Sequence, residues 1–102
     1  MSYGRRGSQI RFLGTLHGRG RMSIANGAQG LGLVLYEIDG FLDGVTRRAT
    51  GQIEAEPAIL MRAFLAGGAT VSLEGGSTIT LVLSNPEGGS TAEVHVNGSF
   101  PL

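Results

Sequence analysis

His17, Arg19 and Arg21 stand at alternate positions in the stretch LHGRGR, residues 16–21. Three chemistries could use such a row. Basic side chains among glycines can track an RNA backbone, and a glycine-rich turn can cradle a phosphate on its N–H groups. Cationic groups on one strand face can also receive a carboxylate or phosphate, to which the planar fork of arginine is matched. RNA recognition needs aromatic stacking platforms beside the charge. Only Tyr3 and Phe12 lie near these arginines, and Phe12 falls on the apolar side of the alternation. A phosphate loop needs a third glycine and a helix behind it. HGRGRM has neither, and NGAQGLG (26–32) runs into a strand pattern. The strand-face reading is what remains, with solvated arginines as its ordinary alternative.

Taken as one strand, or as two joined at Gly18–Gly20, residues 8–25 put Gln9, Arg11, Leu13, Thr15, His17, Arg19, Arg21 and Ser23 on one face. Ile10, Phe12, Gly14, Leu16, Gly18, Gly20, Met22 and Ile24 fall on the other. The candidate binding surface is therefore Arg11, His17, Arg19 and Arg21, extended by Arg48. It suits an anionic small molecule or an acidic protein surface. Function is expected to be that of a non-catalytic binding or interaction module. A second class uses the two histidines: His17 or His95, with a carboxylate such as Glu37 or Glu93, could serve a small enzyme or metal-binding protein whose site is completed between subunits.

Composition removes much other chemistry. All eight basic residues are arginine and there is no cysteine, so Schiff-base lysines, P-loop lysines, thiol nucleophiles, disulfides and cysteine zinc sites are excluded. No serine sits in G-x-S-x-G, which excludes a hydrolase elbow. Glu54 and Glu56 share a strand face, but paired carboxylates need a cleft to separate their pKa values. No catalytic residues, metal ligands or cofactor are assigned.

The elements that must position these residues are strands. Asn26-Gly27, Asp39-Gly40, Asp43-Gly44, Asn97-Gly98, Gly75-Gly76 and NPEGG (85–89) are turn signals. Between them, Ile79, Leu81 and Leu83 alternate with Thr78, Thr80 and Val82. Ala92, Val94 and Val96 alternate likewise with Thr91, Glu93 and His95. The pentapeptide EGGST precedes both runs, at 74–78 and 87–91, which reads as two turn-plus-strand units of a meander. EPAILMRAFLAGG (56–68) breaks the pattern: Pro57 and the closing glycines bracket a short helix over about 57–66, with Ile59, Leu60, Ala63 and Phe64 on one face. A buried strand is the competing assignment.

Eighteen glycines are not periodic, and several line the apolar face: Gly14, Gly18 and Gly20 in one strand, Gly30 and Gly32 beside Val34, Tyr36 and Ile38, and Gly51 between Ala49 and Ile53. Glycine there lets strands bend or approach closely. The expected fold is mainly β, a single small antiparallel β-barrel or sandwich of about six or seven short strands with one short helix. The organisation is a disordered tail over residues 1–7 and one β-rich domain over 8–102.

Residues 63–98 are loosely similar to the later strands of PilZ-type barrels, which bind cyclic dinucleotides. That family's acid, serine and glycine positions are occupied by Ala63, Leu65 and Gly68. Neither Arg5-Arg6 nor Arg47-Arg48 has an arginine three residues on. The resemblance covers about a third of the chain, and two of its three ligand positions are lost.

Net charge is zero but unevenly laid out. Arg5, Arg6, Arg11, Arg19 and Arg21 face no acid within residues 1–36, whereas Glu74, Glu87 and Glu93 are the only charges after residue 66. The acidic second half removes an overall positive field and weighs against nucleic acid as a partner. No run approaches the roughly 20 apolar residues of a membrane span, and the N-terminal stretch lacks an apolar signal core, so a cytoplasmic protein without membrane contact is expected. The opposed charges lead to two expectations: the first and last strands lie side by side in the barrel, setting the Arg11–Arg21 face near Glu93 and His95, or they remain apart and favour a homodimer or higher homo-oligomer.

Overall fold

A computed structural model describes residues 9–102; the expected disordered tail, with Arg5 and Arg6, lies outside the described residues. The fold is mainly β, a closed six-stranded antiparallel barrel with one short helix. The elements are β1 (Ile10–Ile24), β2 (Gln29–Asp43), β3 (Thr46–Glu54), α1 (Pro57–Leu65), β4 (Ala69–Ser72), β5 (Thr78–Leu83) and β6 (Thr91–Val96). Around the barrel they run β1-β2-β3-β6-β5-β4. Two meanders, β1-β2-β3 and β4-β5-β6, are thus joined through α1 and sealed at two seams, β3 on β6 and β1 on β4.

The two EGGST copies form the turns that lead into β5 and β6. In those strands Ile79, Leu81, Leu83, Ala92 and Val94 are buried, while the intervening threonines, Glu93 and His95 face water. The glycines on the apolar face allow close approach. A Cβ on Gly20 would lie 2.5 Å from the Ser72 carbonyl oxygen and 2.7 Å from Val71 Cγ1, across the β1·β4 seam. One on Gly51 would overlap the Glu37 carbonyl oxygen of β2.

The segment 57–65 is a helix rather than a strand, with Pro57 opening its first turn. It covers the barrel end where β3 leaves and β4 enters. Leu60 and Ala63 are fully buried, Ile59 and Phe64 pack half-buried beside them, and Leu65 stays exposed. Gly32 of β2 leaves room for Ile59, whose Cδ1 is 2.8 Å from where a Cβ would stand. At the opposite end Phe100 and Leu102 fold over Gly40, and the Arg47 guanidinium stacks 5.0 Å from the Phe100 ring centre.

Two register shifts correct the expected faces. Phe12 pairs with Phe41 but Gly14 pairs with Gly40, so Leu13 is an extra residue in β1. Such a bulge reverses strand parity on its far side. Ile10 and Phe12 consequently turn outward, Phe12 meeting the Phe41 ring at 5.7 Å, and Arg11 goes to the inner side beside Leu42. Leu31 is the extra residue in β2, which separates Gly30 from the inward row of Gly32 and Val34.

The first and last strands are not neighbours. β1 lies between β2 and β4, and β6 lies between β3 and β5. Crossing the barrel end through α1 brings β4, the first strand of the second meander, to β1. No strand pairing therefore sets the arginine face against Glu93 and His95.

Candidate functional site

The strand register builds the outer surface in rows, each running across neighbouring strands whose facing side chains come within about 5 Å at Cβ. Arg21 stands beside Leu33. The next row is Arg19, Leu35 and Glu54 across β1, β2 and β3. Then come His17, Glu37, Gln52 and Glu93, and after them Thr15, Asp39, Thr50 and His95. In that last row the Thr15 hydroxyl donates to Asp39 Oδ1 at 2.6 Å.

Of the five residues singled out in the sequence, three come together: His17, Arg19 and Arg21 project from the same outward face of β1 and are exposed. The bulge at Leu13 removes Arg11 to the other face, where it joins Leu42 and Arg47. Arg48 lies outward on β3 beside Phe41, near the tip of the β2–β3 hairpin, with its Nε 3.8 Å from Asp43 Oδ2. Two strand rows, those of His17 and Thr15, separate the Phe41–Arg48 row from Arg19.

Beside the three cationic positions lie two leucines that the alternation did not single out. Leu33 is 57% exposed and Leu35 46%. Their signal was present in GLGLVLYEI, where both faces of the strand are apolar although only one can enter a small barrel. Leu33 and Leu35 form one wall of a shallow groove with Arg19. Glu54, Glu56, Pro57 and Ser90 form the other. An apolar strip thus runs along β2 between a basic margin on β1 and an acidic margin on β3.

A second feature sits where the β1·β4 seam runs out. Register pairing there covers only Arg21, Ser23 and the residue between them. Below it, the Arg19 backbone N–H donates to Glu74 Oε2 at 2.8 Å, and the Glu74 N–H donates to the Tyr36 hydroxyl at 3.0 Å. Gly18 is what allows this: a Cβ there, on a backbone of φ +154°, would stand 2.8 Å from the Glu74 carboxyl. Tyr36 and Glu74, with Leu16, His17, Leu73 and Ser77, line a cleft of about 400 Å³. Glu74, read in the sequence as part of a turn, is here a side-chain continuation of the seam. Replacing Tyr36 by Phe is expected to lower stability by about 1 kcal/mol, since it removes the acceptor of the Glu74 N–H while keeping the ring. An unchanged urea midpoint would show that this hydrogen bond contributes nothing.

The histidines occupy separate concavities. His17 borders the Glu74 cleft, while His95 lines a shallow depression with Glu37, Asp39 and Glu93. No three His, Asp or Glu side chains among the described residues gather closely enough to hold a metal ion. No helix among them is long and apolar enough to cross a membrane. Compared with protein-family models, curated proteins and solved structures, the chain matches none.

Proposed function

We propose that this protein is a cytoplasmic, non-catalytic interaction module that receives another protein surface on the outer face of β1 and β2. The observation that carries the reading is the exposed pair Leu33 and Leu35 lying directly beside Arg19 and Arg21. Apolar side chains rimmed by charge are the composition of a protein-binding patch. A small anion would be served instead by arginines converging into a pocket, whereas the groove that Arg19 borders is shallow and open.

The test is a two-dimensional NMR titration with a synthetic peptide alternating leucine and glutamate, and in parallel with inorganic phosphate. The peptide is expected to shift resonances of residues 17–21 and 33–35, and the double variant Arg19→Ala/Arg21→Ala to weaken it about tenfold, as loss of two favourable charge contacts implies. Shifts with phosphate alone, or none with the peptide, would overturn the reading. A second reading, an acid–base or metal site at His95 that a second subunit would have to complete, is favoured by the depression it shares with Glu37, Asp39 and Glu93. Zinc added in the same experiment would support it by perturbing His95 and Glu93 selectively.

A further inference from the structure

We infer that the surface received on this face is a second copy of the same chain, arranged about a two-fold axis that runs along β2. The inference rests on the interaction reading above and adds to it the identity of the partner. It follows from the row Arg19, Leu35, Glu54, in which the basic residue, the apolar residue and the acidic residue stand side by side across three strands.

A two-fold interface must be self-complementary, because each patch meets its own image. Rotation about a line along β2 keeps each row level and exchanges its left and right ends. Leu35 then meets Leu35 of the other copy, and Arg19 of each copy faces Glu54 of the other. One row higher, Leu33 meets its image, and Arg21 faces the position of Glu56, just beyond the end of β3. Turning the second copy the other way, about an axis across the strands, would set arginine against arginine and glutamate against glutamate. Charge therefore selects one of the two face-to-face arrangements. The exposed leucines supply the apolar centre, and the ion pairs sit at the margins where they decide orientation more than affinity. By the same operation Glu37, one row below Leu35, meets its own image, a like-charge contact left at the lower rim, in reach of water and beside His17 of its own copy.

This geometry makes a charge-exchange experiment decisive. Sedimentation velocity of the wild-type chain across a concentration series is expected to show a monomer–dimer equilibrium. Arg19→Glu alone places four carboxylates at the margins and should weaken dimerisation about tenfold or more; Glu54→Arg alone should do the same through four guanidiniums. Mixing the two single variants should restore a dimer, since in the mixed pair both margins again join opposite charges. The double variant Arg19→Glu/Glu54→Arg should dimerise by itself for the same reason. Both substituted positions are exposed, so the barrel should tolerate the changes, and circular dichroism of each variant reports whether it is intact.

A wild-type chain that stays monomeric throughout the series would overturn the second copy as partner while leaving the peptide titration to judge the interaction reading. A dimer indifferent to every one of these substitutions would overturn the assigned face. A dimer weakened by both single variants but not recovered in their mixture would overturn the two-fold arrangement.

Discussion

Gly51→Ala is expected to destabilise the barrel by about 3 kcal/mol or more, the upper range for forcing an extra carbon into a packed interior. Gly51 lies in the middle of β3, paired with Ile38 on one side and Val94 on the other. Its missing side chain leaves the space into which the β2 backbone comes: a methyl carbon would overlap the Glu37 carbonyl oxygen and stand 2.7 Å from Ile38 Cα. These obstructing atoms are backbone, held by ladder hydrogen bonds on both sides, so no rotamer change relieves the clash. Two strands would have to separate along the β2·β3 pairing, close to where the β3·β6 seam is sealed. A small domain has about 5–15 kcal/mol in all, so the variant should lose a large fraction of its urea resistance. Gly75→Ala is the control, because nothing lies within 4 Å of its added carbon. Equal urea midpoints for the two variants would show that the close approach at Gly51 relaxes freely.

The second large effect is at the barrel's covered end. Leu60→Ala should lower stability by about 2–5 kcal/mol, the usual cost of truncating a fully buried leucine. Leu60 is wholly excluded from solvent, and with Ala63 it is what α1 inserts beneath the barrel rim. Helix propensity is not at issue, since alanine is the better helix former; what is lost is apolar burial, together with a cavity between the helix and the strands. Leu65→Ala, on the same helix but 74% exposed, should change stability by less than about 0.5 kcal/mol. Thermal unfolding of the pair separates packing from helix formation. If both variants melted with the wild type, α1 would not be anchored through Leu60.

Much of this architecture could be read from residue order. β5 and β6 are six residues each with one face buried, so their alternation is uninterrupted and unambiguous. Pro57 and the Gly67–Gly68 pair bracket the helix closely enough that only its last residue differs. Glycine on the apolar face announced the curvature that closes the barrel. The bulge at Leu13 was not read, because one apolar residue on the polar face of residues 9–16 does not by itself mark a bulge; the shift appears only when Phe12 must choose between Phe41 and Gly40. Strand order was likewise hidden, since it depends on where α1 carries the chain. The site was legible in half. His17, Arg19 and Arg21 share a face by local alternation alone, whereas Glu54 joins Arg19 through the register of two strand pairings, and Glu74 reaches it from 55 residues away. Cross-strand neighbours of this kind leave no mark in a local window.

The two seams have a consequence for how the chain folds. Within each meander the pairings join segments linked by short turns, so they form quickly and without large loss of loop entropy. The seams are different: Arg21 meets Ser72 and Thr50 meets His95, each across most of the other meander. They form only after α1 has brought the halves together. The β3·β6 seam has five register pairs, whereas β1·β4 has three. The shorter seam is the last to close and the first to part. When it parts, β1 keeps β2 but presents an open edge, and β4 presents the complementary one. Were the longer β3·β6 seam to part as well, two molecules could exchange β4-β5-β6 units through the α1 connection, with the crossover as the hinge of a strand-swapped dimer.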